Sequence, residues 1–453
     1  MRASQPSRVR ERSSTSLNSR HGCYTDRNSL PVFTNERKLS MGVETGLGWY
    51  WHVLGFCAAV VVIISRQPGA IFHAQFFAED GHAWFADAYN HGWFFSLFRT
   101  YNGYYQTVPR LAAALALLVP LASAPLVTNL VGLAFQALPV SLLISTRLSR
   151  WGPIGFRAVL GIAYLAMPNC SEVNVTVTNA QWHLALIACL LVLAASPQTK
   201  IWRYFDSAMF GLCGLTGPFC MLLLPIAFAM LYVRRERCRW MPIAILAIAS
   251  GIQGYALVFV DSAARSPAQL GASPEWLTRL LAGHVYLGTL VGHNSLALQL
   301  ETSTLRWIAL IGTGLFVYWL FKAETEIRLF ALFSALLLAA SLRNPMVPRG
   351  VGLPAWRIMG GAPAIHYWFI PTLACSWMLV WYVFDRKSNQ FTQIIGAVLL
   401  LTMTYGFVRD FRHPAYRDLQ FGRYVEMLDH AKPGETLVIP ENPQGWVIQL
   451  DRR

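Results

Sequence analysis

The sequence predicts an all-α polytopic membrane protein, with about 11 spans and a range of roughly 9 to 13. Two observations carry that expectation. Of its 453 residues, 55% are hydrophobic and 13% charged, about half the charge of a soluble domain (~25%). Apolar segments also recur along nearly the whole chain, at 48–65, 108–146, 154–168, 182–196, 206–233, 240–260, 306–321, 327–341, 366–384 and 391–408. The net charge of +14 then counts by position, since basic residues mark cytoplasmic loops. No soluble basic face with interleaved aromatics is visible, so a nucleic-acid partner is not expected. The eight cysteines are scattered without C-x-x-C or metal-ligand spacing and read as small buried hydrophobes.

Residues 1–47 read as a disordered, basic cytoplasmic tail, rich in Arg and Ser and lacking the apolar core of a signal peptide. Met41 offers a second start within it. Residues 48–409 form the expected transmembrane domain. Several segments are nearer 15 than ~20 residues, which requires tilted or extended helices. Arg147 and Arg150, Lys200 and Arg203, RRERCR (234–239), Lys322 with Arg328, and DRK (385–387) all fall on one side of the membrane if 108–146 crosses an odd number of times. That condition makes 108–122, bounded by Pro109 and Pro120, re-entrant or surface-lying, and 124–146 the crossing. GLTGP (214–218) divides 206–233 into two short helices. The outer face then gathers the 66–107, 169–181, 261–305 and 342–365 loops and the tail at 410–453. In that tail PGETLVI reads as a turn into a short strand, folded over the outer loops as a lid or merely docked.

The candidate chemistry lies on that face. FFAEDGHAWF (76–85) sets Glu79 and Asp80 among aromatics, and Asp80, Trp84 and Asp87 share one face of a short helix suited to the interface plane. A carboxylate against apolar walls is poised to take a proton from a hydroxyl, whereas the same acid facing water only caps a helix. Arg110, next to Pro109 at a helix beginning, suits a phosphate or is an interfacial arginine. Asn179, Gln181, Trp182 and His183 enter a span where they suit sugar hydroxyls and ring stacking, or the ordinary aromatic belt. Thr216 sits at the broken point GLTGP, a ligand contact or a plain turn. The loop at 343–371 carries Arg343, Arg349, Arg357 and His366, cations suited to a phosphate or to lipid head groups.

In order, AEDG (78–81), Y-x-G-Y (101–104) with PR (109–110), N-x-Q-W-H (179–183), L-T-G-P (215–218) and PGETLVIPENPQGW (433–446) make residues 48–450 similar to the GT-C superfamily. These are integral-membrane glycosyltransferases that use polyprenyl-phosphate-linked sugars, and the likeness is to an uncharacterised bacterial branch. The resemblance implies a GT-C-like fold in a bacterial inner membrane, with the N-terminus cytoplasmic and the active site on the outer face. It implies that Asp80, or Glu79, deprotonates an acceptor hydroxyl, with inversion at the sugar. Asp87, Tyr104, Arg110, Asn179, Gln181, Trp182, His183 and Thr216 would line the site, and Arg349 or Arg357 would bind the leaving phosphate. His366 and Tyr367 depart from the pattern, because an arginine is expected beside that tyrosine. Metal dependence stays open, and a divalent ion such as Mg or Mn would be held by Glu79 and Asp80. The implied partners are a polyprenyl-phosphate sugar donor, a glycan, lipid or protein acceptor, and the lipid bilayer. A lipid-linked oligosaccharide flippase and a non-catalytic subunit of an envelope assembly are the competing readings.

Overall fold

The computed structural model describes residues 48–236, 239–260, 268–292, 300–347, 352–384 and 390–452. The basic tail 1–47, Arg349 and residues 385–387 lie outside them. The chain is an antiparallel helical bundle with a small β-hairpin at its end. Its principal helices are α1 (Trp49–Arg66), α2 (Thr107–Ala116), α3 (Ala124–Leu143), α4 (Ile154–Ala166), α5 (Ala180–Leu193), α6 (Lys200–Gly214) and α7 (Phe219–Arg234). They continue as α8 (Trp240–Tyr255), α9 (Thr302–Lys322), α10 (Thr325–Arg343), α11 (Phe369–Phe384), α12 (Gln390–Arg409) and α13 (Phe421–His430). Strands β1 (Thr436–Glu441) and β2 (Trp446–Asp451) pair antiparallel.

Among the described residues six helical segments are long and apolar enough to cross a membrane: 49–66, 121–143, 240–260, 302–322, 325–343 and 365–384. Shorter apolar helices, such as α4 at 13 residues and α5 at 14, accompany them. At 1.5 Å per residue these span only about 20 Å, short of the ~30 Å of a hydrocarbon core. The chain is therefore a helical membrane protein. Helix α5 is apolar on every side and almost wholly buried, so it forms the axis of the bundle. Outward-facing apolar side chains such as Val61, Ile162, Ile248, Leu310 and Leu401 remain exposed, as lipid-facing surfaces do.

Hydrogen bonds fix the direction of each helix. The His52 ring bonds the Ser141 carbonyl and Asn129 donates to that of Ala70, so α1 and α3 run antiparallel. Hydrogen bonds between neighbouring helix ends divide the bundle into two ends. One, the arginine end, collects Arg147, Arg157, Arg234 and Arg239. The other, the acid end, collects Glu79, Asp80, Thr178, Thr216 and the C-terminal tail. The chain breaks at Pro120, between α2 and α3, and at Gly217, where α6 turns into α7.

The first loop differs from the expected interface helix. Asp80–Phe85 is wound as a π-helix that continues into Ala86–His91, and Asp80, Trp84 and Phe85 are all buried within protein. The physical reason is the tail, which covers this segment. Phe76, Phe85 and Ala86 pack with Phe421, Leu428, Ile439, Ile448 and Leu450 in a second apolar core. The exposed aromatics come from the next turn, where Trp93, Phe94, Phe95 and Phe98 project outward.

Candidate active site

The acid pair is presented by a strained turn. Ala78 adopts φ +52°, a left-handed conformation that costs a residue with a Cβ roughly 1–2 kcal/mol. Its amide donates to the Asn442 carbonyl, so the tail holds the turn in place. The two acids then meet different surroundings.

Asp80 is fully enclosed. Its Oδ1 accepts the Thr178 backbone N–H at 2.7 Å, and the Thr178 hydroxyl accepts Trp84 Nε1–H at 2.7 Å. Its Oδ2 has no hydrogen-bond partner among the described residues. Burial pushes the carboxyl up to about 7, against the Thr178 hydrogen bonds, and the neighbouring charge of Glu79 adds to the rise.

Glu79 is half-buried, whereas Asp80 is fully enclosed. Burial raises its carboxyl. Its own backbone N–H, His366 and His82 favour the charged form, while Glu172 opposes it. The phenols of Tyr101 and Tyr104 are raised first by burial and next by the charge of Glu79, that of Tyr104 to about 12. His366 Nδ1 lies 2.8 Å from Glu172 Oε2, which also accepts the His366 backbone N–H at 3.1 Å. That carboxylate orients the imidazole and leaves Nε2 for another partner. The Trp182 ring stands 5.5 Å from that of His366 and 5.8 Å from that of Tyr367, and Phe219 closes its other side at 5.1 Å. Gln106 Nε2 donates to Gln181 Oε1 at 3.3 Å. Glu79, Tyr104, Gln181, Trp182, His366 and Tyr367 are therefore the expected residues that come together.

Others are committed elsewhere. Asp87 binds Arg99 at 2.6 Å and Arg110 at 3.1 Å. Arg110 is buried, with its guanidinium 5.1 Å from the Trp84 ring centre. It braces the first loop through Asp87, while its Nε and its other terminal nitrogen have no hydrogen-bond partner among the described residues. The Thr216 hydroxyl accepts the Val108 N–H, closing the unsatisfied start of α2. Asn179 donates to the Glu172 carbonyl. His183 is buried, between the Tyr164 hydroxyl and the Val173 carbonyl. Arg357 is exposed on the short helix Ala355–Met359.

Three participants were not expected from sequence: Glu172, Gln106 and Glu441. Glu441, from β1, is buried, with both carboxylate oxygens lacking a well-formed hydrogen bond among the described residues. It faces the amides of Gly81 and His82 and is pushed up to about 9, first by burial and then by the charge of Asp80. The one signal in the sequence is an acid set between two prolines, in PENP (440–443). No three His, Cys, Asp or Glu side chains among the described residues are grouped so as to hold a metal. A separate cavity of about 20 Å³ lies at the arginine end, beside Arg147, Asp206 and Arg239. It has room for about one water and none for a sugar.

No protein-family model matches the chain, and no curated protein matches it.

Proposed function

We propose that this chain is an inverting glycosyltransferase that moves a sugar from a polyprenyl-phosphate donor to an acceptor hydroxyl. The observation that carries the reading is the convergence of a half-buried carboxylate, Glu79, with Tyr104, Gln181, Trp182 and His366 at one end of an apolar bundle. Amide, phenol and indole groups of this kind bind sugar hydroxyls and faces. An abstracted proton must lie within hydrogen-bond reach of its base. For that reason Glu79 takes the role of general base, while Asp80, enclosed and bonded to Thr178, holds the turn.

In the reaction the acceptor O–H gives its proton to Glu79 as its oxygen attacks the anomeric carbon. The bond from that carbon to the phosphate oxygen breaks, and the lipid phosphate leaves with the electron pair. In its protonated form His366, which Glu172 orients, suits the leaving phosphate. The shorter helices α4, α5, α6, α7 and α12 cross together with the six long segments, giving eleven crossings. The arginine end faces the cytoplasm and the acid end the outer face of a bacterial inner membrane. The lipid-linked sugar that accumulates in a deletion strain identifies the donor. A strain in which no such lipid accumulates and no glycan changes would refute the reading.

A further inference from the structure

Four aromatic side chains stand uncovered at the acid end. Gly92, at φ +93°, ends the helix Ala86–His91 and turns the chain. Trp93, Phe94, Phe95 and Phe98 follow and are between 50% and 71% exposed. The Phe94 ring stands 5.7 Å from that of Trp93, 6.0 Å from that of Phe95 and 5.4 Å from that of Phe98, so the four form one ridge. The tail hairpin grips the preceding helix through Asn90, which donates to the Gln449 carbonyl at 2.8 Å and accepts the Asp451 N–H at 3.0 Å. It leaves the ridge uncovered. Just after the ridge Arg99 binds Asp87, which also binds Arg110, and this tie holds the ridge to the first turn of α2. Apolar side chains gathered in this way mark a contact surface, unlike single ones scattered over a protein.

Helix α2 shows what covers that surface. Its start bonds to the break between α6 and α7, with the Thr107 N–H on the Leu215 carbonyl at 3.0 Å and the Val108 N–H on the Thr216 hydroxyl at 3.1 Å. Its last residue, Ala116, packs with Ala124, Phe421 and Leu428 under the tail. Both ends therefore lie at the acid end, and α2 runs across the bundle without spanning it. One side of α2 buries Val108, Ala112, Ala113 and Ala116, while the other exposes Leu111 and Leu115, with Leu118 just beyond. Depth follows from length. At 1.5 Å per residue the 15 residues of α6 and the 16 of α7 reach only about 22–24 Å into a hydrocarbon core of ~30 Å. With Lys200 and Arg234 at the far polar boundary, the break between these helices stops roughly 6–8 Å short of the near one. A helix lying across the break is ~10 Å thick and fills that shortfall with its own body. Its exposed leucines lead through Leu118 to Leu130 on the long apolar helix α3, which makes them continuous with the lipid-facing surface. We propose that the Trp93–Phe98 turn and the outward side of α2 form an in-plane anchor, embedded among the acyl chains of the leaflet at the acid end. The anchor sets the depth of the first loop in the bilayer. This inference does not rest on sugar transfer, and its test uses no substrate.

The test uses the full chain in nanodiscs of phosphatidylethanolamine and phosphatidylglycerol. The photoreactive residue p-benzoylphenylalanine replaces Phe95, Leu115 or, as a control, Val438, which is exposed on β1 of the tail. After irradiation the chains altered at Phe95 and at Leu115 should each gain the mass of one phospholipid, attached through an acyl carbon. The chain altered at Val438 should gain none. A cross-linked dimer from Phe95 without a lipid adduct would make a second copy the occupant and overturn the proposal. No adduct at Phe95, attachment confined to the head group, or equal lipid attachment at all three positions would overturn it as well. Hydroxyl-radical labelling of the wild type in the same nanodiscs needs no variant. With each rate normalised to the unfolded chain, Trp93 and Phe95 should be modified at least about tenfold more slowly than Met427, which is exposed on α13. Equal rates would show that water covers the ridge and would refute the anchor.

Discussion

The two ends of the bundle treat buried charge in opposite ways. At the arginine end every enclosed acid meets a cation. Arg147 grips Asp206 through two hydrogen bonds of 2.8 and 2.6 Å, Arg234 meets Glu326 at 2.5 Å, and Arg239 meets Glu236 at 3.1 Å. Arg157 and Arg239 also donate to carbonyls at helix ends, where the backbone is electron-rich. At the acid end Asp80 and Glu441 are enclosed and Glu79 is half-buried, and among the described residues none of the three forms an ion pair with an arginine or lysine. Paired charges hold helices in register. Unpaired acids cost stability, and a fold keeps them where a proton has to be taken or held. The contrast separates acids held in ion pairs from acids that have none among the described residues.

The largest stability effect should come from breaking a pair at the arginine end. Arg234→Ala leaves Glu326 buried and alone, at an expected cost of about 3–5 kcal/mol, read as a lower midpoint of thermal unfolding. Replacing both partners by apolar residues should recover most of that loss. At the acid end the sign reverses. Asp80 is raised from 3.8 to about 7, so the ionised acid is a burden above neutrality. Asp80→Asn keeps an acceptor for the Thr178 N–H and should stabilise the chain at pH 8 by on the order of 1–3 kcal/mol. Near pH 4 the gain should vanish, and a gain that persisted there would show that charge is not its cause. The smallest effect belongs to Arg99→Ala. Its side chain is 52% exposed, and such a pair is worth about 0–1 kcal/mol, so a larger loss would blur the contrast between paired and unpaired ends.

Much of the arginine end was legible in the sequence, because apolar runs and basic stretches report helices and their ends directly. The breaks at Pro120 and GLTGP were legible for the same reason. The candidate site was legible only in part. Polar residues at helix ends satisfy backbone groups as readily as ligands, and Thr216, Asn179 and His183 each bond a backbone group. Asp87 and Arg110 were each singled out, but their pairing depends on how the first loop folds back on α2. Glu441 and Glu172 reach the site from distant parts of the chain, and no local pattern encodes that meeting. Of the adjacent acids, residue type gave no ground for preferring Glu79. Burial separates them, since Asp80 is fully enclosed and Glu79 is half-buried.

The most direct test compares the wild type with Glu79→Gln, both purified and folded, on polyprenyl-phosphate donors carrying radiolabelled sugars. Membrane extract serves as the source of acceptor. The wild type should transfer label, and the variant should lose at least about 100-fold of that rate with no change in thermal midpoint beyond about 1 kcal/mol. Transfer by Glu79→Gln at the wild-type rate would contradict the assignment of the acid end as a reaction centre built on that carboxylate.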